Sequence, residues 1–265
     1  MIENFFSEYG FDREVSHVSK VDALNFKYPQ TKHVDINKND SLYSFFSNAQ
    51  INEIPLNVHL FDKNINYQII FDGNLSLIEN YSPEKPLIIE NTNLNVNLNG
   101  KKITAPVFAE KNGNIYEGNT DSYVFWVKNG SNLTIDGEGE VVAQKATYSI
   151  AVWANGGNVI IKNGKFYNNG DNSDLIYASN GSSVEIYGGE FHANENKGAI
   201  GTKNKFPALN IKDSDRKNTT IKVYGGKFYG FNPQNNVSEG VDTNFVADGY
   251  KSIEIEPNIF EVVKE

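Results

Sequence analysis

Residues able to do chemistry are few in this chain, and their spacing limits what they could do. It has no Cys, one Met and four His (His17, His33, His59 and His192), none paired with another, so it spells no thiolate nucleophile, no disulfide frame and no His/Cys zinc set. Arginine occurs only at Arg13 and Arg216. Arg216 stands in Lys212-Asp213-Ser214-Asp215-Arg216-Lys217, where Asp213 and Asp215 could hold a Ca²⁺ beside a strong base. A charged loop in solvent has the same composition, so no metal or other cofactor is assigned, and Asp213 and Asp215 stay as candidates only. Three rings form a second group: Trp126, Trp153 and Tyr177 stand near equivalent positions of successive strands, where a stripe of rings could stack on sugars. The same residues would suit a core or a subunit seam, because strand register decides which face they occupy. His192, directly after Phe191, reads as a turn residue rather than a general base.

The elements that must position these residues are short and repetitive. Glycine is unevenly spread, with Gly10 and Gly73 alone before residue 100 and the other twenty between Gly100 and Gly249; asparagine occurs 38 times. Both residue types supply the left-handed corners of tight turns. One pattern recurs: two apolar residues two apart, then Gly or Asn, then an apolar residue. It appears as Val159-x-Ile161-x-x-Gly164-x-Phe166, Val184-x-Ile186-x-x-Gly189-x-Phe191, Ile221-x-Val223-x-x-Gly226-x-Phe228 and Ile253-x-Ile255-x-x-Asn258-x-Phe260. Looser copies run from Leu133-x-Ile135 to Val141, from Val96-x-Leu98 to Ile103, and from Val58-x-Leu60 to Ile65. The steps Val141 to Phe166 and Phe166 to Phe191 are 25 residues, whereas Ile103 to Val141 is 38, Phe191 to Phe228 is 37 and Phe228 to Phe260 is 32. The longer steps read as one period plus an insertion, and Arg216 falls in one of these.

A period in the twenties without helical spacing suits one rung of a parallel β-helix, stacked on the next at about 4.8 Å. Phe166, Phe191, Phe228 and Phe260 would stack inward, and a second strand is expected at 123–127, 149–153, 175–177, 208–211 and 245–247. The expected fold is therefore all-β: a single-stranded right-handed parallel β-helix of six or seven rungs over residues 37–265. Such a stack needs covered ends. Asp40 or Ser41 can cap a short helix near residues 40–49, with Leu42, Phe45 and Phe46 on the first rung. Residues 1–36 carry no repeat but do carry Phe5, Phe6, Tyr9 and Phe11, which suits an arm that buries itself on another surface.

Lys and Arg number 24 against 33 Asp and Glu, a net charge of −9, which argues against nucleic-acid or anionic-membrane binding. No run is long and apolar enough for membrane insertion, and the start lacks a basic then apolar leader, so synthesis in a cytoplasm without a signal peptide is expected.

With the repeats in place, the chain resembles the pectin-lyase-like, right-handed β-helix family. Asn95-Val96-Asn97-Leu98-Asn99-Gly100-Lys101-Lys102-Ile103-Thr104 looks like a turn common in its phage and bacterial members. The ending, Gly225-Gly226-Lys227-Phe228-Tyr229-Gly230-Phe231-Asn232-Pro233 followed by Thr243-Asn244-Phe245-Val246-Ala247-Asp248-Gly249-Tyr250, is similar to that of β-helical virion proteins in tailed phages of gut Bacteroidales, including crAss-like phages. The resemblance covers roughly residues 38–265. It implies a virion surface protein, a head fibre or a tail fibre/spike, usually a homotrimer anchored by its N-terminus, and leaves head versus tail open. The expectation is a homotrimeric head fibre or capsid-decorating spike, held on the capsid or another virion protein by its N-terminal arm, with host or mucosal glycans as further partners; the alternative is a tail fibre or tailspike that binds or depolymerises host capsular polysaccharide.

The same family holds polysaccharide-degrading enzymes, which is the alternative reading. Asn119-Thr120-Asp121 and Leu133-Thr134-Ile135-Asp136-Gly137-Glu138-Gly139 resemble two polygalacturonase segments. No Asp-Asp pair, Gly-His-Gly or Arg-Ile-Lys accompanies them, so no catalytic residue is assigned.

Overall fold

The computed structural model describes residues 49–53, 59–60, 68–70, 73–77, 80–83, 86–90, 92–109, 120–170, 174–192 and 207–265. The described chain is all-β, and its one helical element is a three-residue 3-10 turn at Asp213–Asp215. The arm residues Phe5, Phe6, Tyr9 and Phe11 lie outside the described residues. So does the expected capping helix, except at Ala49, which is in a strand.

The alternating pattern builds three sheets. Sheet I runs Ala49–Glu53, Gly73–Leu77, Asn93–Asn97, Asn132–Asp136, Asn158–Ile161, Ser183–Ile186 and Thr220–Val223. Sheet II runs Lys101–Thr104, Gly139–Ala143, Lys165–Asn168, Glu190–His192, Gly226–Tyr229, Ile259–Lys264 and Tyr250–Glu256. Sheet III runs His59–Leu60, Gln68–Ile70, Leu87–Ile89, Thr120–Lys128, Tyr148–Asn155, Ile176–Ser179 and Leu209–Ile211, with Phe108–Ala109 paired beside Thr120–Lys128. From residue 120 to residue 229 the chain visits sheets III, I and II in that order each time. Pairing within each sheet is parallel there, as in Val159 opposite both Leu133 and Val184.

Apolar residues two apart on each strand point to one side, and the three sheets direct them into one core. Leu94, Leu133, Val159, Val184 and Ile221 align in sheet I, followed by Val96, Ile135, Ile161, Ile186 and Val223. In sheet II the aligned residues are Ile103, Val141, Phe166, Phe191 and Phe228, all buried. The rings of Phe166, Phe191 and Phe228 stack at 5.0 and 4.7 Å. Gly189 makes one corner possible: its φ is +105°, and a Cβ there would lie 2.8 Å from the Gly164 carbonyl oxygen.

Several expectations need correction. The last repeat copy is not a further parallel rung: Tyr250–Glu256 and Ile259–Lys264 form an antiparallel hairpin, with Phe260 opposite both Phe228 and Glu254. Ile253 and Ile255 are each 38% exposed, and their strand is the outermost of sheet II among the described residues. Residues 245–247 do not extend sheet III; Val246 bridges Val223 of sheet I. The copy placed at Val96-x-Leu98 starts two residues earlier, since Val96 lies opposite Ile135. A further copy at Gly73 to Leu77, with Tyr81 opposite Ile103, escapes the pattern because Gly73 stands where an apolar residue is required, opposite Leu94. Sheets I and III each have six mutually parallel strands and sheet II five among the described residues.

The C-terminal end is closed edge by edge. Sheet I ends at Val223, whose N–H donates to the Phe245 carbonyl at 2.9 Å, and whose carbonyl accepts from Ala247 at 2.9 Å. Sheet III ends at Leu209–Ile211, where the Ile211 N–H donates to Glu239 Oε1 at 2.6 Å. Sheet II continues into the hairpin, whose outer strand has a register shift at Glu254/Glu256 and donates its Ser252 N–H to Gln234 Oε1. Bulges and side-chain acceptors of this kind blunt an edge that would otherwise template pairing. Phe231, Phe245 and Val246 cover the core beneath.

Candidate functional site

The outer face of sheet III gathers the sequence-predicted rings. Register places Trp126 opposite Trp153, and Trp153 opposite Tyr177, on three neighbouring strands, with Asn210 next to Tyr177. All three rings are partly exposed. The planes of Trp126 and Trp153 are 3° from parallel at 4.8 Å, and Tyr177 is tilted by 52° at 6.1 Å from Trp153. Tyr123 meets Trp153 edge-on at 5.3 Å. The Lys128 ammonium lies 4.7 Å from the Trp126 ring and 3.8 Å from Glu90. Trp153 Nε1 donates to Ser179 Oγ at 3.0 Å. In a stack this tight the two indoles spend facing π-surfaces on each other, so their edges, with the tilted Tyr177 ring, meet an incoming molecule.

Beside Tyr177 stands a residue that spacing did not reveal. Asp174 is 7% exposed, and its Oδ2 accepts from Asn210 Nδ2 at 3.1 Å while its buried Oδ1 has no hydrogen-bond partner among the described residues. Burial pushes its carboxyl up to about 7; the Asn210 hydrogen bond opposes this and the charge of Glu239 adds to it. The Tyr177 phenol is pushed up to about 12, first by burial and then by the charges of Asp174, Asp215, Asp213 and Glu239. A charged residue immediately before an apolar strand is the sequence signal that could have drawn attention to Asp174.

The other candidate carboxylates hold parts of the fold. Asp213 Oδ1 accepts from Arg216 Nη2 at 2.6 Å, and Arg216 Nε donates to Glu239 Oε2 at 2.6 Å. Asp215 Oδ2 accepts the Asn180 N–H at 2.8 Å, which holds its carboxyl below the usual range. Asp136 accepts the Gly137 N–H at 2.7 Å, and Asp121 is buried. Arg216 therefore lies in a short turn, while the longer extra segment of that period precedes Leu209.

Sheet II presents a different outer face. Lys102, Glu140, Lys165, Glu190, Lys227 and Glu261 align in one column of alternating charge. Lys102 pairs with Glu140 at 2.8 Å and Lys165 with Glu190 at 3.3 Å; these partners raise both lysine pKa values. In the next column His192 is stacked between Tyr167 and Tyr229, at 4.5 and 4.0 Å, with Glu190 at 3.5 Å from its Nε2. His192 is thus a strand residue in an aromatic column rather than part of a turn. An open groove of about 840 Å³ runs along the charged column.

No protein-family model matches the chain, and no curated protein or solved structure matches it.

Proposed function

We propose that this chain is a non-enzymatic phage virion structural protein: a homotrimeric head fibre or capsid-decorating spike anchored through residues 1–36, with Phe5, Phe6, Tyr9 and Phe11 as the contacts. In this reading the three sheets close into a single right-handed parallel β-helix, a stiff projection about 25–30 Å long at the inter-strand spacing. It works on the virion surface and takes no cofactor.

The observation that carries the reading is how its polar residues are used. Columns of side chains on the sheets pair along the stack: Asn158 with Asn132, Lys165 with Glu190, Trp126 with Trp153. Such ladders stiffen a rod. Of the carboxylates in the segments that resembled enzyme motifs, Asp136 accepts the Gly137 N–H and Asp121 is buried, whereas the two-carboxylate pair of a glycosidase needs both groups free to flank a bond. The aromatic column favours a second role, host-glycan contact, which a tail fibre or tailspike would share.

Light scattering on the full-length protein after size exclusion tests the assembly: a mass three times the 29.6 kDa chain is expected, and a monomer at all concentrations rejects the trimer. Deleting residues 1–36 should leave a folded protein that no longer joins virions; incorporation of the truncated chain rejects the anchor.

A further inference from the structure

We infer that the outer face of sheet III binds an uncharged, hydroxyl-bearing sugar at its Tyr177 end, with Asn210, held by Asp174, supplying the polar contact. The inference rests on the glycan-contact part of the reading above and names the end of the column and the charge class of the ligand.

Ring geometry selects the end. Trp126 lies between the Trp153 ring at 4.8 Å and the Lys128 ammonium at 4.7 Å, so both its faces are in use. Trp153 has Trp126 on one face and Tyr123 edge-on at 5.3 Å. The stack breaks only at Tyr177, where the 52° tilt leaves the two planes splayed rather than closed on each other.

A polar pair adjoins that break. Asn210 is the register neighbour of Tyr177, and its Nδ2 holds Asp174 Oδ2 at 3.1 Å, which brings the carboxyl to the same end of the column. Asp174 Oδ1 is buried, so the carboxyl positions the Asn210 amide rather than meeting a ligand itself. A sugar hydroxyl bonds the partly exposed Asn210 amide while its ring packs on tyrosine, the usual pairing of a few polar groups with an apolar platform.

Charge selects the class. Asp213, Asp215 and Glu239 outnumber Lys212 and Arg216, the cations paired with them, so a uronate or sialate would approach a net field of its own sign.

The test is a glycan array of neutral hexose and N-acetylhexosamine oligomers alongside uronate- and sialate-bearing ones, probed with the full-length protein. Saturation-transfer NMR on the best binder follows. Binding is expected to neutral glycans, weakened at least about tenfold by Tyr177→Ala and by Asp174→Leu, and kept within about twofold in Lys102→Ala on the outer face of sheet II. Should Asp174→Leu fail to fold, Asn210→Ala replaces it with the same expectation. A preference for acidic glycans, undiminished binding in these variants, or no glycan bound by the folded protein overturns the inference. A trimer that binds no glycan leaves the fibre reading standing; a monomer that binds neutral glycan through Tyr177 does the reverse.

Discussion

Trp126 and Trp153 lie opposite each other on adjacent parallel strands with their indole planes 4.8 Å apart and 3° from parallel. Stacking this close makes the two rings one energetic unit. Each alanine substitution should destabilise the fold by about 2 kcal/mol, below the value for a fully buried aromatic because both rings are partly exposed. The double variant should cost less than the sum of the singles by about 1 kcal/mol. Urea denaturation of the four-protein cycle measures this, and strict additivity would remove the stack as a stabilising contact.

Asp174 gives the fold a pH dependence of known sign. Its folded value of about 7 lies above the 3.8 of an ordinary aspartate, so between these the folded state holds a proton that the unfolded chain has lost. Stability from this group is therefore greatest at low pH, declines as pH rises from about 4 to about 7, and is level above that. Asp174→Asn keeps an acceptor for Asn210 and cannot ionise. It should be more stable than the wild type at pH 8, by an amount of order a few kcal/mol, and the gap should narrow towards pH 4. Thermal melts of both proteins across this range decide it; parallel curves would mean that Asp174 does not set the slope.

How far these relations are legible in the sequence depends on what fixes each one. The column Ile103, Val141, Phe166, Phe191 and Phe228 follows directly from spacing, because one inward position per period keeps an apolar side chain and the corners keep Gly. The adjacency of Trp126, Trp153 and Tyr177 is readable for the same reason, at steps of 27 and 24 residues. Ring tilt is not readable, since it depends on packing against Tyr123, Lys128 and Ser179. Phe260 misleads: it fits the pattern, yet its strand returns antiparallel because Asn258, at φ +58°, turns a hairpin. The meeting of Asp174 with Asn210, 36 residues away, has no local signal at all. The alternating charges of sheet II were legible in principle, though only once the register of every strand had been set.

Glu239 closes the last open edge of sheet III, and its loss should be read at one amide. Its Oε1 accepts the Ile211 N–H and its Oε2 accepts from Arg216 Nε, both at 2.6 Å, while Arg216 also reaches Asp213. A single side chain thus ties the terminal strand Leu209–Ile211 to the loop that covers the core. Glu239→Ala leaves the Ile211 N–H of that strand without its acceptor and Arg216 with one carboxylate partner, a loss of about 1–3 kcal/mol. Glu239→Gln keeps an oxygen for Ile211 and should lose less. Amide hydrogen exchange locates the effect: the Ile211 amide, protected in the wild type, should exchange much faster in Glu239→Ala, while Ile176 and Ile161, on inner strands, stay protected. An exposed edge also invites pairing between chains, so light scattering of Glu239→Ala should show association that grows with concentration. Unchanged Ile211 protection together with an unchanged molar mass would mean that the edge is closed by something other than Glu239.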